Sequence, residues 1–114
     1  MAKLKRDVVK YIRDKAKNKY DKGSACEICD ATEPLDFHHF YTLAPLVHKW
    51  LKDNNLNPEY ILAIRDDFIE QYKAELYDYT ATLCHKHHLQ LHKVYGRDPG
   101  LGTAKKQMRW VEIQ

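Results

Sequence analysis

Between Leu83 and His92 the chain reads Leu-Cys-His-Lys-His-His-Leu-Gln-Leu-His, one thiol and four imidazoles within ten residues. Thiolates and neutral imidazoles are the donors that zinc and its first-row neighbours prefer, so this density points to metal binding. Leu89, Leu91 and Val94, with no Gly or Pro between them, predict a helix over residues 85–95. On it His88 and His92 stand one turn apart on one face and can share an ion. His87 is turned by about 100° from His88, back toward Cys84, and belongs to a different site.

Two upstream pairs can complete these sites. Cys26 and Cys29, in a Cys-x-x-Cys knuckle, form with Cys84 and His87 a closed sulfur and nitrogen set of four, the preference of structural zinc. His38 and His39 with His88 and His92 form an all-nitrogen set, which can keep a coordination position open for chemistry. The chain has three cysteines, an odd number that argues against a disulfide framework and for thiolate ligands in a reducing compartment.

In this order (Cys26-x-x-Cys29, His38-His39, Leu83-Cys84-x-x-His87-His88-x-x-x-His92) the motifs resemble the HNH endonucleases of the His-Me finger, or ββα-metal, group, in their zinc-knuckle, phage-like form. The resemblance covers roughly residues 26 to 92. It implies an α+β fold: a small ββα-metal core stapled by a structural zinc, in a single nuclease domain spanning residues 1–114. It implies a zinc held by Cys26, Cys29, Cys84 and His87, and a catalytic divalent ion, Mg, Mn, Ni or Zn, held by His38 and His88. His92 is then a third ligand or a phosphate contact, and His39 the general base in hydrolysis of DNA phosphodiester bonds. Two positions depart from the family pattern. The second knuckle is Cys-x-x-His in place of Cys-x-x-Cys, and Tyr79, beside Asp78, stands where the family has an Asn that steadies the base histidine.

The elements that must position these residues follow from pattern. Leu4, Val8, Ile12 and Ala16 recur at helical spacing and predict a basic helix over 3–21, with Gly23 as its stop. Residues 23–34 form the knuckle, and 35–40 the first strand. Strict alternation sends His38 and His39 to opposite faces, so one site can use both only if the strand bends or ends there. Residues 41–77 read as a helical insertion, with one helix over 44–52. A second starts at Asn57-Pro58 and runs to about Tyr77, burying Ile61, Ile64, Phe68, Tyr72 and Leu76. His48 and Trp50 fall outside any ligand spacing and read as structural or surface residues. Residues 79–83 are the second strand, and the helix after it should stop at Gly96. In the tail, residues 96–114, Thr103 is a fair N-cap for a last short helix.

The net charge of +3 is unevenly spread. Residues 1–22 hold nine Lys or Arg against three Asp, giving +6, and residues 84–114 hold six bases against two acids, giving +4. A polyanion such as DNA would be met by these two ends, through Lys5, Arg6, Lys10 and Arg13 and through Lys105, Lys106 and Arg109. The plainer readings are a solvated helix face at one end, and a docking helix held by Met108, Trp110 and Val111 at the other. With no apolar run long enough to span a bilayer, the expected location is cytoplasmic. The competing functional reading is a zinc-stapled DNA-binding module without cleavage.

Overall fold

The computed structural model describes Leu4 and residues 6–114. In chain order its elements are α1 (Val8–Ala16), β1 (Leu35–His39), α2 (Leu43–Asp53), α3 (Ile61–Gln71), β2 (Thr80–Cys84), α4 (His85–Tyr95) and α5 (Ala104–Ile113). The strands pair antiparallel from Leu35 opposite Cys84 to His39 opposite Thr80, so the chain is α+β, as expected. No described helix is long and apolar enough to cross a membrane.

The N-terminal helix is shorter than its apolar spacing predicts. The Asp7 carboxylate accepts the Val9 N–H at 2.8 Å and caps α1, leaving Leu4 outside the helix although it packs on the core. Lys5 lies outside the described residues. At the other end a tight turn, Lys17–Lys19, gives way to extended backbone at Tyr20, whose ring stacks on Phe37 at 4.9 Å. Helix ends here, ahead of Gly23, because Tyr20 is needed against the sheet.

The insertion also departs from expectation in its second half. Helix α2 buries Leu43, Leu46, Val47, Trp50 and Leu51, so Trp50 is core while His48 is exposed. The continuous helix expected from Asn57 to Tyr77 is instead three pieces. The Asn57 side chain accepts the Glu59 N–H and opens a tight turn, Pro58–Tyr60; α3 follows, and then a π-helical turn, Ala74–Asp78. This wider turn keeps Leu76 in the core, 1% exposed, and leaves its carbonyl free to face β1.

Two apolar clusters result. The larger joins α1, α2 and α3 around Ile12, Val47, Trp50, Ile61 and Phe68. The smaller lies under the knuckle, strands, α4 and α5, and consists of Cys26, Phe40, Ala81, Leu83, Cys84, Leu91 and Ala104. So few side chains bury little area, which is where small domains recruit metal. Backbone bonds lash the knuckle to β2: Gly23 N–H donates to Thr82 Oγ1 at 2.7 Å, Glu27 N–H to the Thr82 carbonyl at 3.0 Å, and Thr82 N–H to the Glu27 carboxylate at 2.6 Å.

Helix α4 stops where expected, at Gly96, which adopts φ 91°. Thr103 sits at the N-cap position of α5 but makes no cap hydrogen bond to its helix. Its hydroxyl donates to the Gly100 carbonyl at 2.7 Å and accepts from Gln107 Nε2 at 2.9 Å. Gln107 is wholly buried, an unusual state for a Gln.

Candidate active site

The knuckle is built by a tight loop. Cys26 N–H donates to the Ala31 carbonyl at 2.8 Å, Asp30 N–H to the Cys26 carbonyl at 2.9 Å, and Asp30 takes φ 62°, which a short polar side chain tolerates. This loop brings Cys26 and Cys29 to the junction of β2 and α4, where Cys84 and His87 wait. The four donor atoms all lie within 4.8 Å of one another. Cys29 and Cys84 sulfurs are 3.8 Å apart, and His87 Nδ1 lies 3.2 Å from Cys84 and 3.8 Å from Cys26. Sulfurs bound at about 2.3 Å to one tetrahedral zinc stand about 3.8 Å apart, so the donor set fits the ion in kind and in spacing. Burial would raise the Cys26 thiol, but backbone N–H groups of Cys84, Cys29 and Ile28 and the His87 ring outweigh it and bring it down to about 6.

The second set is His38, His88 and His92. His38 Nδ1 lies 3.1 Å from His88 Nε2, which lies 3.0 Å from His92 Nε2. The outer nitrogen of each ring has its own acceptor. His38 Nε2 donates to Gln107 Oε1 at 2.8 Å, and that amide is oriented by its own donation to the Phe40 carbonyl and the Thr103 hydroxyl. His88 Nδ1 donates to the Asp36 carboxylate at 3.0 Å, and His92 Nδ1 to the Gly96 carbonyl at 2.8 Å. A neutral imidazole carries one proton, so each inner nitrogen is left as a lone pair. Three lone pairs converge with no proton between them, an arrangement that a cation relieves and that suits first-row divalent metals. Nitrogens bound at about 2.0–2.1 Å to one ion lie about 2.9–3.4 Å apart, which the spacing matches. Burial pushes the His38 imidazole down to about 4 against its Gln107 bond, and lowers His88 against its Asp36 bond, so both are neutral at pH 7.

His39 does not join this set. Alternation sends its ring to the other face of β1, where it meets Tyr20 at 4.8 Å and Phe37 at 5.2 Å, both edge-on. Its Nε2 donates to the Leu76 carbonyl at 2.9 Å, leaving Nδ1 as a lone pair. Yet β1 ends at His39, and beyond the sheet edge one cleft of about 280 Å³ is lined by His38, His39 and His92 together.

The basic residues divide. Arg6 pairs with Asp14 at 2.6 Å, whereas Lys10, Arg13, Lys105, Lys106 and Arg109 are exposed. Arg13 alone of these lines the cleft, together with Arg97.

A family model for phage T5 nicking endonucleases, described as the nicking endonuclease family, matches residues 1–114. The chain belongs to the nicking endonuclease family. It is therefore a DNA endonuclease, and the reading as a binding module without cleavage falls away. No solved structure matches the chain.

For this nicking endonuclease, sequence reasoning passed over four parts of the site: the Gln107 amide, the Leu76 and Gly96 carbonyls, and Arg97. Backbone carbonyls carry no sequence signal at all. Asp36 stood beside the histidine pair, but no role was assigned to it. His85, on the first turn of α4, is exposed yet shares the Asp36 carboxylate with His88, at 3.0 Å.

Proposed function

We propose that the chain nicks DNA as an HNH, ββα-metal enzyme, with zinc at Cys26, Cys29, Cys84 and His87 and a catalytic divalent ion at His38, His88 and His92. The observation that carries this reading is the convergence of three imidazole lone pairs beside a fourth histidine, His39, whose Nδ1 is kept unprotonated by the Leu76 bond.

A divalent cation held by His38, His88 and His92 would supply charge neutralisation for the phosphodiester and for its leaving group. Nitrogen donors suit Mn, Ni or Zn, and phosphate and water oxygens would make Mg acceptable. The remaining steps belong to side chains. His39 takes the proton of the attacking water on Nδ1, while its Nε2–H stays on the Leu76 carbonyl and the Tyr20 and Phe37 rings keep the imidazole from turning. This triple restraint replaces the family's Asn, absent at Tyr79. Products carry 5′-phosphate and 3′-hydroxyl ends. One such cleft per chain cuts one strand per engagement, which is what nicking requires.

The test is conversion of supercoiled plasmid to the relaxed form with Mg or Mn. Wild type should relax the plasmid, and His39→Ala should lose turnover while keeping its fold and DNA affinity. Equal relaxation by both would remove His39 from the chemistry.

A further inference from the structure

The cleft has a composition that metal binding alone leaves unexplained. Its lining residues are Tyr20, Phe37, Thr42, Leu43 and Pro99 besides the three histidines and Arg13 and Arg97, with no carboxylate among them. The two arginines come from separate elements. Arg13 projects from α1 at the edge of the stripe, Val9, Ile12 and Ala16, that fixes the helix in the core. Arg97 follows Gly96 at the end of α4, on a segment anchored two residues later where Thr42 Oγ1 donates to the buried Pro99 carbonyl at 2.6 Å.

Neither guanidinium has an ion-pair or hydrogen-bond partner among the described residues. Several other basic side chains of the N-terminal segment and the insertion are engaged: Arg6 and Lys17 with Asp14, Lys15 with Asp66, Lys73 with Glu70, and Arg65 with the Tyr11 carbonyl. Two uncommitted guanidinium forks therefore face a space that also holds the base and two of the ligand histidines. A guanidinium fork matches paired phosphate oxygens, and an exposed one beside a cleft without carboxylates favours an anion.

We propose that Arg13 and Arg97 form a two-armed cradle for the DNA strand being cut, gripping the scissile phosphodiester and its neighbour, so that their role is in the rate as well as in affinity. The proposal rests on the cleft being the active site. It gives the N-terminal helix a specific function, placing one arginine at the reaction, beyond the diffuse attraction of its charge.

The experiment compares Arg13→Ala, Arg97→Ala and a Lys73→Ala control with wild type, checking melting temperature and zinc content first. Binding to a labelled duplex, without added divalent metal, is measured across salt concentrations, and single-turnover nicking at saturating enzyme with Mn. Each arginine variant should lower the salt slope by about one and slow nicking at saturation by about tenfold to a hundredfold. The control should do neither. Arg13→Lys and Arg97→Lys, which keep the charge but lose the fork, should restore the slope and only part of the rate; they also serve if an Ala variant fails to fold. Wild-type rates at saturation in the Arg13 and Arg97 variants would overturn the cradle, whether or not affinity fell. If His39→Ala nicks normally while the arginine variants are slow, the histidine assignment fails and the cradle stands.

Discussion

The two donor clusters lie back to back on the start of α4, supplied by consecutive residues, His87 and His88, yet they are held by different means. The cysteine cluster is made by chain geometry: a tight knuckle, backbone N–H groups turned toward sulfur, and β2 ending on a ligand. The histidine cluster is made by three acceptors, two of them, Asp36 and Gln107, far along the chain from the ring they hold and the third, the Gly96 carbonyl, one turn beyond His92, each fixing one ring's proton on the outside. Four donors around the first leave no room for substrate, whereas three around the second, beside a cleft, leave a position open. Breaking the first should unmake the fold, and breaking the second should leave a folded protein with a poor metal site.

The largest effect is expected at Cys84, which ends β2 and lies 6% exposed in the smaller apolar cluster. Cys84→Ser should release zinc and lower the melting temperature by roughly 10 °C or more, or prevent folding. Calorimetry with zinc analysis checks this, and an unchanged transition with zinc retained would erase the distinction drawn between the clusters. Asp36→Ala should keep the transition close to wild type and weaken metal binding at the histidine cluster by about tenfold to a hundredfold, because His88 loses the partner that sets its proton. Cobalt titration followed by absorption reads this separately from activity. Gln107→Leu sharpens the comparison further. It should weaken the same site by about tenfold, and it reports on α5, which no ligand motif includes. Gln107→Glu, which keeps an acceptor for His38 Nε2, should recover much of that loss.

The candidate ligands were legible in the sequence, and their surroundings were not. Cysteine and histidine are rare enough, and their spacing on a short helix constrained enough, that periodicity separates Cys84 and His87 from His88 and His92, the grouping in which the folded chain gathers their donor atoms. The same periodicity overran α1 at both ends and ran through the π-helical turn at Ala74–Asp78. Apolar spacing says which face is buried, but not where a cap such as Asp7 begins a helix or where a carbonyl must be turned outward. The restraint on His39 illustrates the limit: the Asn of the HNH pattern that the motifs resemble is missing at Tyr79, and what holds the ring is the Leu76 carbonyl with Tyr20 and Phe37, none of which carries a motif.

The most direct test of two separate centres is to count ions on folded wild-type and His88→Ala protein by native mass spectrometry after supply of zinc and then manganese or cobalt. Two ions per wild-type chain and one per His88→Ala chain, with only the wild type relaxing plasmid, is the predicted result. Equal ion counts and equal nicking by both proteins would contradict it.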